Sequence, residues 1–226
     1  MARAARSYHH GDLRAALVEA GLKLARTGGV NALGVRELTR AVGVTPNAAY
    51  RHFADRHALV LAVAVEAQDM LAQTMLERIK AIRADADPAE RALARLRAVG
   101  EGYVHFALAE PGWFELAILT RDEPTDERPP PTIDARVPPP YQLLVDALDG
   151  LVEAGVLTPA QRPNAEVACW STVHGFADLA TRGPLRAQDR AVVDALATYV
   201  VDTIIAGVVA PPEHGVDKGP FLDGNR

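Results

Sequence analysis

The sequence predicts an all-α protein of about nine helices, a small N-terminal bundle followed by a larger helical body. Two observations carry this. Apolar residues recur at helical spacing along nearly the whole chain, and no convincing run alternates apolar and polar residues as a half-buried strand would. With 226 residues, 49% hydrophobic and 23% charged, the chain is ordinary globular material, long enough for a small domain joined to a larger one.

The first helix is expected over residues 12–26, with Asp12 as N-cap, Leu13, Leu17, Ala20 and Leu24 on one face, and Thr27-Gly28-Gly29 as its stop. Two short pieces, 35–42 and 45–53, flank Gly43, and Leu38, Val42, Val44, Ala49 and Phe53 close a three-helix core over Leu17 and Leu24. Neither piece is long enough to be stable alone. From Arg56 a longer pattern runs toward residue 83 and stops near Asp87-Pro88, where Asp87 is placed to cap the next helix and Pro88 to occupy its first turn. That helix reaches about residue 110, and Pro111-Gly112 breaks it before a short apolar helix holding Trp113, Phe114, Leu116, Ile118 and Leu119. Residues 122–140 carry seven prolines, which forbids a regular helix and predicts a mobile or extended loop. A helix over 141–154 follows, closed by Gly155.

The last two helices, 165–181 and 187–209, are joined by Arg182-Gly183-Pro184. The second repeats apolar residues at Val193, Leu196, Val200 and Ile204, a stripe suited to a four-helix interface with a second copy; burial of both helices within one subunit fits the same pattern. The Pro- and Gly-rich segment 210–226 reads as a flexible tail.

Charge divides the chain. Residues 1–56 hold nine Lys/Arg against four Asp/Glu, a charge of +5, which leaves −10 for the remainder. A basic head on an acidic body suits a protein whose one end approaches phosphates while the rest stays off them. The single cysteine, Cys169, forms no intrachain disulfide and no thiolate zinc site alone, so it reads as a small buried apolar side chain. The N-terminus lacks an apolar signal core and no 18-residue stretch is uninterruptedly apolar, so the expected location is the cytoplasm. The pair His9-His10 reads as solvated or near phosphate rather than as a metal site, and no metal or cofactor is expected.

The informative segment is 33–53. A two-turn helix, Gly43 for a left-handed corner, Val44 to pin it, Thr45 as N-cap and Pro46 at the first helical position define a helix-turn-helix by its mechanics, over about residues 34–53. The second helix is then the reading helix, and its outward residues Thr45, Asn47, Ala48, Tyr50, Arg51 and His52 suit entry into a major groove.

The run Gly43-Val-Thr-Pro-Asn-Ala-Ala-Tyr50-Arg-His-Phe53, continued by Ala-Asp-Arg56-His-Ala-Leu59, closely resembles the recognition helix of the TetR family of transcriptional regulators and the start of its long connecting helix. By that resemblance Tyr50 and His52 meet phosphates and Thr45 touches the DNA backbone. Asn47, Ala48 and Arg51 then lie where bases or nearby phosphates are met, Arg56 stands where a phosphate-binding Lys is usual, and Arg36 and Pro46 complete the DNA-facing set. The sequence departs from the family pattern at Gly34, where Ser or Thr is common, and at Thr39, where Ala is usual.

A second motif, Trp170-Ser-Thr-Val-His174-Gly175, resembles the Trp-x-x-x-His-Gly stretch of one TetR subgroup. Trp170 and His174 share a helix face, so they line a pocket, a dimer seam or a packed core. The resemblance also implies an apolar effector pocket in the body, for which Tyr103, His105, Phe106, Trp113, Phe114 and Ile118 are candidates.

An enzyme reading finds no support. Cys169 and His174 are five apart on a helix and diverge, His174 and Asp178 are an i, i+4 pair, and neither a glycine-rich phosphate loop after a strand nor a His-Glu-x-x-His motif occurs. The expectation is a homodimeric DNA-binding domain over 9–70, an effector-binding and dimerisation body over 71–209, and a pseudo-palindromic DNA operator released by a small, largely apolar effector. An effector-independent or partner-regulated DNA binder is the alternative.

Overall fold

A computed structural model describes residues 10–118 and 140–210. Among these residues there are nine α-helices and no strand: α1 (His10–Gly28), α2 (Val35–Val42), α3 (Pro46–Ala49), α4 (Arg56–Lys80), α5 (Pro88–Ala109), α6 (Pro111–Ala117), α7 (Pro140–Glu153), α8 (Ala165–Thr181) and α9 (Arg190–Val209). His9, the side chains of His10 and Asp12, nearly all of the proline-rich loop and residues 211–226 of the tail lie outside the described residues.

The chain divides into two compact units. The first contains α1–α3, residues 56–70 of α4, and α6; the second contains residues 71–80 of α4, α5 and α7–α9. Sequence reasoning set a boundary near residue 70 and gave residues 71–209 to the body; in the structure α6 clusters with the N-terminal helices.

In the first unit, Leu17, Leu38, Ala49 and Phe53 are buried, while Leu24, Val42 and Val44 are half-buried. The inward face of α1 is Leu17, Val18, Gly21 and Ala25, turned by about one residue from the stripe read in the sequence. The reason is a larger set of partners: α1 serves α2, α3 and α6. At Gly21 a Cβ would sit 2.5 Å from Val63 Cγ2 of α4, so glycine is what lets the two helices close. Gly43 ends α2 at φ 81°, with Gly43 N–H donating to Thr39 O and Val44 N–H to the same carbonyl at 2.9 Å, the left-handed corner the sequence anticipates.

α6 is knit to α1 by side chains and backbone. Arg26 makes a two-pronged bond to Glu110, Nε to Oε2 at 2.8 Å and Nη2 to Oε1 at 2.6 Å. Trp113 Nε1–H donates to Leu22 O at 2.7 Å, and the Arg26 guanidinium lies 5.0 Å from the Trp113 ring centroid. Gln68 of α4 holds the other end of α6 through Ala117 O at 3.0 Å.

In the second unit α5 packs against α7, α8 and α9, and α8 lies along α9. Gly102 backs onto Met75, whose Cα would be 2.9 Å from an added Cβ. Gly155 ends α7 in the left-handed region, and the Gln161 amide donates to Ala210 O at 2.8 Å and Val209 O at 3.2 Å, satisfying carbonyls at the end of α9. α4 and α9 are each long and apolar enough to cross a membrane by length and hydropathy; 44% of the relevant α4 window is buried, as suits a core helix, against 17% for α9.

Candidate nucleic-acid interface

α2 and α3 set the reading face. Leu38, Ala49 and Phe53 fix α2 and α3 to the core. Thr39, whose residue type departs from the family pattern, is buried at 1% exposure, and its hydroxyl donates to Val35 O at 2.8 Å, so it is a satisfied core group. Thr45 occupies the N-cap of α3 in extended conformation and makes no side-chain cap hydrogen bond; Pro46 opens the helix. Regular α-helix stops at Ala49, short of the expected 45–53, and the turn continues with His52 N–H donating to Ala49 O at 2.9 Å and Phe53 N–H to the same carbonyl at 3.0 Å.

Arg36, Thr45, Pro46, Asn47, Tyr50 and Arg51 are exposed, and Ala48 and His52 are half-buried. Tyr50 is 51% exposed and projects from the face opposite Ala49. These residues form one outward surface of hydrogen-bonding and basic groups on a helix anchored by its inward side. Arg14 of α1, which sequence reasoning did not single out, brings its guanidinium 5.3 Å from the Phe53 ring centroid and so adds a cation beside the end of the reading helix. Only the general basicity of the head hints at it in the sequence.

Arg56 is exposed at the start of α4. Its Nε donates to Leu33 O at 2.8 Å and its Nη2 to Val30 O at 3.2 Å, so the guanidinium is engaged by the segment leading into α2. Gly34 is the N-cap of α2 without a side-chain cap bond, and the Glu37 carboxylate folds into the space a side chain at Gly34 would take.

In the body, the structure brings Tyr103, Trp170 and His174 together. The Tyr103 hydroxyl is 2.8 Å from His174 Nδ1 and 3.5 Å from Trp170 Nε1, and the Tyr141 ring packs edge-on against Trp170 at 5.7 Å. Burial pushes the Tyr103 phenol up to about 12, so it keeps its proton at neutral pH. Phe106 is buried in the second unit; Phe114, with Ile118 half-buried, belongs to the first. Two further pocket candidates stand apart from this cluster. His105 is exposed, because the inward positions of α5 are 102–104, 106 and 107; Trp113 is committed to α1 through Leu22 and Arg26.

Within a single chain the four residues of the expected dimer stripe differ in burial. Val193 is 4% exposed and lies in the core of its own unit, with Val201 and Ile205, while Leu196, Val200 and Ile204 are half-buried at the margin. The outward apolar residues of α9 and α8 are Val192 and Tyr199, and Val167, Trp170 and Leu179. The apolar residues of α9 spread widely around the helix and are interleaved with Asp194, Thr198, Asp202 and Thr203, so periodicity alone does not tell its inner face from its outer one.

Comparison with known proteins fits this architecture. A family model described as bacterial regulatory proteins, tetR family, matches residues 17–63, and one described as tetracyclin repressor-like, C-terminal domain, matches residues 96–204. A solved protein of unknown function from Rhodococcus sp. RHA1 superposes with TM-score 0.70 at 27% identity, over 91% of this chain and 100% of that one. A TetR family transcription regulator from Marinobacter aquaeolei VT8 gives TM-score 0.54 at 19% identity, over 85% and 94%. A TetR variant from Acinetobacter baumannii AYE, solved in complex with minocycline, gives 0.54 at 19%, over 89% and 96%. No curated protein sequence matches the chain. With one such model over its head and another over most of its body, the chain belongs to the TetR family and is a DNA-binding transcriptional regulator.

Proposed function

We propose that the protein is a cytoplasmic, homodimeric repressor that grips a pseudo-palindromic operator in duplex DNA and is released by a small, largely apolar effector. The observation that carries the DNA reading is the α3 face: Ala49 and Phe53 anchor it inward, while Thr45, Asn47, Tyr50 and Arg51 stand exposed above a core that holds them in register. Dimerisation is supported by α9, whose window of mean hydropathy 1.9 is only 17% buried in the single chain. Gly175 and Gly207 support it too: each lies exposed in a helix with open space around its Cβ position, as close approach by another backbone requires. Two subunits then offer two reading helices to successive major grooves.

The effector reading rests on the Tyr103–His174–Trp170 cluster with Tyr141, polar handles set among aromatic rings. The Acinetobacter regulator of the same fold was solved with minocycline, which supports a ligand-binding body. An effector that favours one arrangement of the two heads over another lowers operator affinity by its differential affinity for the two states, on the order of 1–3 kcal/mol.

The test is selection of duplexes from a random-sequence library by the purified protein, then anisotropy titration of the selected duplex at several salt concentrations. A palindromic consensus and competitor-resistant binding are expected. Arg51→Ala is expected to weaken binding and make the salt dependence shallower by about one ion. Selection of no sequence, or unchanged affinity in both Arg51→Ala and Tyr50→Ala, refutes the assignment of this face.

A further inference from the structure

We infer that Arg14, on α1, is a phosphate clamp that carries the DNA contact beyond the helix-turn-helix onto the first helix. The inference rests on the DNA-binding reading of the α3 face above. The Arg14 guanidinium lies over the Phe53 ring, 5.3 Å from its centroid, and Phe53 is only 5% exposed, so the cation is seated on a ring that belongs to the core of the first unit. Phe53 closes the turn that carries Tyr50 and Arg51, its N–H donating to Ala49 O at 3.0 Å, which puts the cation beside the exposed surface those two residues form. Arg14 is itself exposed, and among the described residues no carboxylate pairs with it.

In the second unit arginines are mostly matched to acids: Arg78 to Glu101, Arg97 to Asp202, Arg162 to Asp149 and Glu166, Arg182 to Asp178 and Arg190 to Asp194. In the first unit Arg14, Arg36, Arg40 and Arg51 are exposed with no such match among the described residues. These four stand on α1, α2 and the turn after α3, elements that pack on one another, so the unmatched positive charge is gathered where a polyanion is met. Arg26, on the same helix as Arg14, supplies the contrast. It too lies over a ring, Trp113 at 5.0 Å, but Glu110 closes its fork at 2.8 and 2.6 Å. At Arg14 the ring attracts the charge through its π face and leaves the N–H fork to be used elsewhere. A charged fork, ordered in advance and unsatisfied, suits a pair of phosphate oxygens. With the N-terminal residues of the reading helix turned to base edges, its far end stands by the wall of the groove, so the partner of Arg14 is backbone phosphate and not a base.

The experiment compares Arg14→Ala and Arg14→Lys with the wild-type protein on two duplexes, one selected by the wild-type protein and one of unrelated sequence, across a salt series, with the Tm of each free protein measured by circular dichroism. Arg14→Ala is expected to weaken binding to both duplexes about tenfold and to make both salt slopes shallower by about one ion, at near wild-type Tm and with an unchanged consensus on reselection. Arg14→Lys is expected to restore the slope and only part of the affinity, since an ammonium keeps the charge without the fork. Wild-type affinity and slope in Arg14→Ala overturn the inference. Weaker binding at the wild-type slope with a lowered Tm also overturns it and makes Arg14 a prop for Phe53, as does a consensus altered at one position, which makes Arg14 a base reader. If the wild-type protein selects no duplex, the operator reading fails on its own, and the slopes on the unrelated duplex still decide whether Arg14 meets phosphate.

Discussion

Replacing Trp113 by Phe probes the seam between α1 and α6. The substitution removes one N–H···O=C bond, Trp113 Nε1 to Leu22 O at 2.7 Å, and part of the ring surface beneath Arg26 at 5.0 Å. Leu22 O lies inside α1 and keeps its helical N–H partner, so no buried acceptor is stranded and the hydrogen-bond loss is the net value, about 1 kcal/mol. The weaker cation–π contact and the reduced apolar burial of a half-buried ring add roughly 1 kcal/mol more. A loss of about 2 kcal/mol corresponds to a fall in Tm of about 4–8 °C for a chain of this size, measured by circular dichroism on the full-length protein. Arg26→Lys, which keeps charge but not the two-pronged bond to Glu110, should fall less, since that pair is largely exposed on the arginine side. A Trp113→Phe protein that melts within one degree of wild type would refute the claim that this seam holds α6 to the head.

Two further predictions concern the body. Tyr199→Arg, at a position 67% exposed in the single chain, is expected to give folded monomers in light scattering, whereas Val193→Arg, at 4% exposure, is expected to unfold the second unit; an intact dimer in Tyr199→Arg moves the interface away from α9. Burial holds the Tyr103 phenol at about 12, above its unfolded value near 10. The folded state thus binds this proton more tightly, and the stability that follows is full below about pH 10 and lost as pH rises toward 12. Tyr103→Phe should flatten that alkaline limb in urea unfolding series, and parallel limbs in variant and wild type would refute the assignment.

The helix-turn-helix was legible because local chemistry defines it: Gly43 is needed for a left-handed φ, Pro46 opens a helix, and Leu38, Ala49 and Phe53 fall at inward positions of short helices. Its outward residues then follow by elimination. The hydrogen bonds of Arg56 were not legible, because its partners are two backbone carbonyls more than twenty residues away, and a carbonyl leaves no mark on composition. The contacts of Trp113 were hidden for a related reason. An indole beside a Pro-Gly break looks like a pocket wall, and nothing local says that Leu22 O waits for its N–H. On α9, apolar residues spread widely around the helix and are interleaved with Asp194, Thr198, Asp202 and Thr203, which blurred the phase that separates Val193 from Val192, so the helix was readable but its inner face was not. The Tyr103–His174 bond joins residues 71 positions apart, and only the Trp170–His174 spacing on α8 was available beforehand.

The membership of α6 in the first unit makes the DNA-reading head discontinuous along the gene. A fragment cut at the end of the recognisable motif, near residue 70, would lose Phe114 and Leu116 from its interior, lose the lid that Trp113 forms on α1, and leave Arg26 without Glu110. Transplanting this operator specificity onto another regulator therefore requires carrying residues 110–117 as well, or rewriting the exposed side of α1 with polar residues. Exchange of whole bodies between relatives is constrained in the same way, since whatever replaces the body must return a short helix with a glycine at position 112, where a Cβ would strike the Ala25 and Arg26 backbone.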